Sequence, residues 1–449
     1  MLDIPQEIFE RVYDKARALD YTGYSEQYPP FGSWEKASLS RAGLGGIWRR
    51  ALPCSSRLGL YVNFPFCRRK CEFCFLPVIA CPSGRREEVS AEYLRLLEKE
   101  ISLLPAAVGR RELETVYLGG GTPSLMPPAR IKELFTLLRS RFRFGRRTQI
   151  NAEIDPADLD GELLSALVDC GVSRVCLGVQ SFAGEAIRRA GRRGAPGLAE
   201  KTAALRAAGI KCNLDIICGL PGQGRADFMR DVRSALAMRP DQIHLNAFSA
   251  TPYTLHAMRG GRAPDEASLR ALISGGFASL RKAGYVMADY DSAGLTRSSR
   301  NFQTSGLRDR NSVLGLGPSS VSRAFGSARY INFSGWERWR AALKAGRPPV
   351  YRLARTDLRD EKIYFVLESF AAPGGRLSFA EYRRTFRSSF AADFPRELAA
   401  LKAAGCRPAA GGLACPPTAL SSARRLLWRE PALTGIAASL KEAGPGWVK

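Results

Sequence analysis

From residue 58 to about 250, short apolar runs alternate with amphipathic stretches. Leu58–Phe66, Thr115–Gly119, Gln149–Ile154, Arg174–Val179, Asn213–Cys218 and Gln242–Ala247 have the length and composition of buried strands. Between them, over 87–104, 128–142, 161–170 and 225–238, apolar residues recur at i, i+3 and i+4, which gathers them on one face of a helix. Pro128 and Asp160 suit helix starts, and Gly171 and Gly209 suit helix stops. Strands alternating with helices predict parallel βα units, so the expected fold class is α/β. Six such units predict a curved, partial (β/α)6 barrel with its ligands at the C-terminal ends of the strands.

Outside this period the pattern changes. Residues 1–57 read as an N-terminal arm with one helix and a Tyr/Pro-rich loop. The barrel is expected over 58–290, including an amphipathic helix at 265–284. Residues 291–356 read as a segment that completes the barrel and its active site. From 357 to 449 the sequence suggests a compact, mainly helical domain, with "RDEKIYFVLESF" and "PRELAALKAAG" as its clearest helices.

Composition narrows the setting. A hydrophobic content of 45% over 449 residues is ample for a core. The apolar runs are short and broken by charge, so no membrane helix is expected. The N-terminus carries early acids and lacks a secretory apolar region, which makes the cytoplasm the expected location. Cysteines number eleven, and Cys170, Cys176, Cys212 and Cys218 sit in apolar runs. That is the pattern of free thiols in a reducing compartment rather than of a disulfide framework. The net charge is +24. Basic residues are spread out, without aromatic interleaving or a basic tail, so a polyanionic small molecule suits them better than a nucleic acid.

Candidate chemistry centres on "LYVNFPFCRRKCEFCFLPV" (60–78), in which Cys67, Cys71 and Cys74 are spaced C-x3-C-x2-C directly after a strand. A structural zinc site wants four closed ligands, usually in two separated pairs, and no second C-x2-C exists here. A 4Fe–4S cluster normally takes four thiolates. Three would leave one iron open to an exogenous ligand, through which an electron could pass. Buried structural cysteines and a zinc knuckle remain the alternatives.

The triplet resembles the signature of the radical S-adenosylmethionine (SAM) superfamily. That resemblance implies a 4Fe–4S cluster on Cys67, Cys71 and Cys74. In the superfamily, reductive cleavage of SAM gives a 5′-deoxyadenosyl radical that abstracts a hydrogen atom. "YTGY" (21–24), "GGGTPS" (119–124), "EIDP" (153–156), "LGVQSF" (177–182), "DIICGLP" (215–221), "RNFQ" (300–303) and "LGLGPSSVS" (314–322) further resemble the oxygen-independent coproporphyrinogen III dehydrogenase family of anaerobic haem synthesis.

Residue by residue, the likeness implies cofactor contacts at Tyr61, Phe73, Gly120, Gly121, Thr122, Glu153, Gln180, Arg192, Asp215, Ser249 and Val321. Family members hold two SAM molecules. Tyr61, Gly120 and Glu153 would serve the first, and Thr122, Gln180, Arg192 and Asp215 the second. Independently of the likeness, the glycines of "GGGTPS" allow close backbone approach to a ligand, and no lysine makes that loop a triphosphate site. A reducing partner such as flavodoxin or ferredoxin and a monomeric state are likewise implied.

The sequence departs from the family at Asn63 and Ser299, where histidines are usual, and at Phe75 and Leu76, where Gly-Cys is usual. These positions bear on the substrate more than on the radical chemistry. The expected reaction is oxidative decarboxylation of a tetrapyrrole propionate. The alternatives are a two-SAM methyltransferase or cyclopropanase, and a non-enzymatic haem-binding protein.

Overall fold

The fold was analysed in a computed structural model that describes residues 28–29, 33–81, 84–250, 254–262, 264–288, 291–296, 310–371 and 375–416, with positions 419 and 427. "YTGY", Ser299 and "RNFQ" lie outside the described residues, as does most of the expected N-terminal arm.

All six expected strands form, in chain order: β1 (Arg57–Phe64), β2 (Glu112–Gly120), β3 (Arg143–Ile154), β4 (Arg174–Gln180), β5 (Lys211–Cys218) and β6 (Gln242–Ala247). Each pairs in parallel with the next. Covered on both faces, they read as near-continuous apolar runs. A seventh parallel strand, β7 (Asn311–Leu316), lies beside β1, where the sequence reading expected a completing segment without assigning a strand. Antiparallel strands extend both edges into one thirteen-stranded sheet whose two end strands do not pair with each other. Among the described residues it is an open sheet.

The crossover helices occur where periodicity placed them. Among these, α1 (Pro128–Arg141) starts on a proline whose missing N–H costs nothing at that position. Next, α2 (Gly161–Asp169) is capped by the Asp160 carboxylate, which accepts from the Leu163 N–H at 2.8 Å. Gly171 (φ 71°) and Gly209 (φ 72°) close their helices in the left-handed region. A single apolar core fills the space between sheet and helices.

The C-terminal part has a core of its own. It is less purely helical than expected. Alongside α3 (Leu358–Ala371) and three shorter helices stands a three-stranded antiparallel sheet formed by Arg376–Ser378, Arg407–Ala409 and Gly412–Ala414. Glu361 on α3 ties this part to the main sheet. Its fully buried carboxylate accepts from Arg323 at 2.6 Å and from Arg329 at 3.0 Å. Burial pushes this carboxyl up, but the two guanidinium groups outweigh that and hold it below the usual range.

Candidate active site

The C-terminal ends of the parallel strands open into a cavity of about 750 Å³. Twelve of the fourteen residues singled out from the sequence line it: Cys67, Cys71, Phe73, Cys74, Gly120, Gly121, Thr122, Glu153, Gln180, Arg192, Asp215 and Ser249.

β1 delivers the cysteine loop. Phe66–Cys67 pairs in parallel with Ile79–Ala80, and the Cys81 N–H donates to the Cys67 carbonyl at 2.7 Å, so the loop returns on itself. Lys70 Nζ donates to the Leu76 carbonyl inside it. This arrangement gives buried Cys81 a place in the loop's base, outside the cavity lining. The three cavity thiols are free and partly buried. Burial pushes the Cys67 thiol up to about 12, opposed by a hydrogen bond from Thr122 Oγ1 at 3.2 Å. Burial raises Cys71 as well, opposed first by Arg192, whose Nη1 lies 3.9 Å from the sulfur.

The glycine run after β2 clamps this loop. Gly121 N–H donates to the Phe64 carbonyl at 2.7 Å, and Thr122 N–H to the Phe66 carbonyl at 2.9 Å. A Cβ at Gly121 would sit 2.6 Å from the Phe66 oxygen, and one at Gly120 2.2 Å from Asn63 Oδ1. The close approach that these glycines permit is therefore to the chain leading into Cys67.

Glu153, at the end of β3, accepts from Tyr117 Oη at 2.9 Å and from the Gly120 N–H at 3.1 Å. Burial raises its carboxyl to about 7 in spite of these bonds, and nearby Asp215 adds to the rise. Asp215 on β5 is also raised by burial, against the pull of His244 and Arg192. Gln180 ends β4 at a bulge with φ 68°, a left-handed turn uncommon for a side-chain-bearing residue, and its side chain lines the cavity. Phe73 packs with Ala186, Ala190, Ile217 and Phe248.

The structure separates Arg192 from its neighbours. Arg188 and Arg189 pair with Glu185, and Arg193 with Asp158. Arg192 reaches the Gly178 carbonyl at 2.9 Å and Asp155 Oδ2 at 3.3 Å. Two expected contacts do not line the cavity. The ring of Tyr61 stacks on Tyr117 at 5.7 Å, which places it behind Glu153's partner. Val321 opens an antiparallel strand beyond β7 and packs toward Trp34, Ile331 and Tyr351. Sequence reasoning missed Tyr117 and Asp155. Asp155 was visible as a second acid one step past the strand end in "EIDP"; Tyr117 carried no signal beyond that of an ordinary strand aromatic.

Comparison with known proteins gives this geometry its setting. The Radical SAM superfamily pattern matches residues 61–235. An oxygen-independent coproporphyrinogen III oxidase of Bradyrhizobium diazoefficiens is 32% identical over 331 residues, which is 69% of this chain and 70% of that protein. The chain belongs to this radical SAM family. The coproporphyrinogen III oxidase HemN of Escherichia coli superimposes with a TM-score of 0.74 over 90% of this chain and 96% of that one, at 23% identity, so the two share a fold. A heme chaperone, HemW, of Haemophilus influenzae is 29% identical over 237 residues, 52% of this chain and 62% of that protein.

Radical SAM proteins work with a 4Fe–4S cluster and SAM, and the donor set fits those groups. Cys67, Cys71 and Cys74 all line one cavity, which suits a cluster held by three thiolates with one iron left open. Burial makes them costly to ionise alone, and Thr122 and Arg192 are placed to offset that cost. No helix among the described residues is long and apolar enough to cross a membrane.

Proposed function

We propose that Cys67, Cys71 and Cys74 hold a 4Fe–4S cluster with one iron open to SAM, and that the protein acts on a carboxylate-bearing tetrapyrrole at the cavity mouth, removing a propionate carboxyl group. The observation that carries this reading is the convergence of three free thiols and the carboxylates of Glu153 and Asp215 on one cavity. When bound, the cluster and SAM supply a 5′-deoxyadenosyl radical that removes a hydrogen atom from the substrate.

The chain's own residues bind, orient and exclude water. Glu153 and Asp215 present acceptor oxygens to the cationic and hydroxyl groups of SAM. Tyr117 and the Gly120 N–H fix the Glu153 carboxylate from behind. Arg192 braces Cys71, Asp155 and the Gly178 carbonyl as one unit. Ile217, Leu245 and Phe248 provide apolar walls. Gln180 and Thr122, with Arg192 and Asp215, would serve a second SAM. An electron from a flavodoxin- or ferredoxin-like protein would start SAM cleavage, and a separate one-electron acceptor would take up the electron released with carbon dioxide as the vinyl group forms.

Methyl transfer is the second reading, and Asn63 favours it. The residue that replaces the family's histidine cannot move a proton at neutral pH, and its amide is committed to the Pro318 carbonyl at 2.6 Å. The two readings separate by product. Anaerobic incubation with SAM, reductant and coproporphyrinogen III, followed by mass spectrometry, should show loss of carbon dioxide and formation of a vinyl group. Accumulation of S-adenosylhomocysteine with a methylated product would replace decarboxylation with methyl transfer. Tight haem binding without turnover would replace both with a chaperone role.

A further inference from the structure

Charge in the cavity is arranged in two tiers. Glu153, Asp215 and Asp291 line the cavity half-buried, as does Arg192, while Arg68, Arg69 and Arg193 line it from exposed positions. Among the described residues, two carboxylates pair with three of those four guanidinium groups. Asp155 takes Arg192. Asp158, with its side chain only 6% exposed, takes both Arg68 at 2.8 Å and Arg193 at 3.1 Å. Asp158 is itself fixed by Ser124 Oγ at 2.9 Å.

Two like charges held side by side repel each other unless an anion lies between them. Here one buried carboxylate brackets two arginines that are 37% and 51% exposed. Each guanidinium carries five N–H donors in a fixed fork, so one carboxylate leaves outward donors on both. Arg69 sits next to this bracket, exposed, and forms no ion pair among the described residues. Arg68, Arg69 and Arg193 against the single carboxylate of Asp158 thus leave the rim with a surplus of two positive charges.

We propose that Arg69 and the Arg68–Asp158–Arg193 bracket form a carboxylate subsite at the mouth of the cavity, which receives an acid side chain of the substrate. This deepens the functional reading above and rests on it. It assigns these rim arginines to a substrate carboxylate other than the one that reacts, with the reacting carbon held inside the cavity. A free carboxylate and a guanidinium fork match bidentately, a geometry that lysine does not reproduce.

The test uses the anaerobically reconstituted full chain and coproporphyrin III, an aromatic tetracarboxylate, with its uncharged tetra-amide as control. Binding is read by tryptophan fluorescence quenching. Arg69→Gln and Arg193→Gln should each weaken coproporphyrin III binding about tenfold, the effect of losing one charge-assisted hydrogen-bonded pair. Arg69→Lys should recover only part of the loss. The tetra-amide should bind weakly to every variant, with no difference among them. Iron content and circular dichroism matching the wild type establish that the variants fold.

Unchanged coproporphyrin III affinity in both Gln variants overturns the proposal. Weakened SAM affinity with unchanged porphyrin affinity also overturns it, by assigning the arginines to the cofactor. Slower cluster reduction by an acidic flavodoxin, with porphyrin binding unchanged, overturns it in favour of a docking surface for the electron donor. The wild type alone tests the underlying reading, because it must form 5′-deoxyadenosine whatever the arginines do.

Discussion

Replacing Gly121 by alanine tests how the glycine run supports the cysteine loop. The new methyl would lie 2.6 Å from the Phe66 carbonyl oxygen and 2.9 Å from that of Phe64. Both are backbone atoms, so no flexible side chain can yield. Overpacking of this kind costs about 1–3 kcal/mol. If the segments part, the bonds from Gly121 N–H to Phe64 and from Thr122 N–H to Phe66 weaken too, at roughly 0.5–1.5 kcal/mol each. The expected total is a loss of about 2–6 kcal/mol, concentrated in the segment that leads into Cys67. Gly275 supplies the control. It lies in the helix Glu266–Lys282, and a Cβ there meets nothing within 4 Å. Gly275→Ala should therefore stabilise by about 0.5–1 kcal/mol through helix propensity. Urea unfolding of the iron-free proteins and iron per chain after reconstitution are the measurements. A Gly121→Ala protein that unfolds with the wild type and takes up the same iron would refute the clamp.

Other predictions concern the buried charges. Glu100, 5% exposed and bonded to the Gly317 N–H at 2.9 Å and Asn332 Nδ2 at 2.6 Å, is raised by burial from 4.5 to about 7. A raised folded-state value means that its stabilising contribution is complete below about pH 4.5 and is lost as pH rises through 7. The urea stability of the wild type minus that of Glu100→Gln should accordingly fall by about 3 kcal/mol between pH 4.5 and 8; a difference that stays flat contradicts the assignment. Glu361→Ala leaves the Arg323 and Arg329 guanidinium groups buried without their shared carboxylate. It should cost about 3–5 kcal/mol and expose the junction before the C-terminal part to limited proteolysis, whereas wild-type protease resistance would argue against the tie. Arg192→Lys keeps the charge but cannot span Cys71, Asp155 and the Gly178 carbonyl together. SAM binding, followed by equilibrium dialysis, should weaken about tenfold, and an unaltered affinity would remove Arg192 from the brace.

The central βα units were legible because each strand is buried on both faces and each helix shows one apolar stripe, so local pattern and tertiary role agree. Asp160, Pro128, Gly171 and Gly209 marked boundaries for reasons of hydrogen bonding and backbone freedom that hold in any context. β7 was not legible as a strand. "NSVLGL" is short and contains a glycine, and it becomes a strand through pairing with β1, more than 240 residues earlier in the chain. The small C-terminal sheet escaped for the same reason, its strands being only three residues long. At the site, parallel strands align their C-terminal ends, which brings Glu153 and Gln180 together with Asp215, three residues before the end of β5. Tyr61 and Val321 do not join them in the cavity lining. Tyr61 is engaged by Tyr117, and Val321 belongs to a hairpin whose position depends on long-range pairing. Arg192 could not be separated from Arg188, Arg189 and Arg193 by composition; the positions of Glu185 and Asp158 made the distinction.

The most direct test of the central claim is anaerobic reconstitution with iron and sulfide, followed by electron paramagnetic resonance of the reduced protein with and without SAM, in the wild type and in Cys67→Ala, Cys71→Ala and Cys74→Ala. The account predicts a 4Fe–4S signal in the wild type that changes shape on adding SAM, together with 5′-deoxyadenosine formation, and loss of both in every single-cysteine variant. A wild-type cluster signal that SAM leaves unaltered, with no 5′-deoxyadenosine formed, would contradict it.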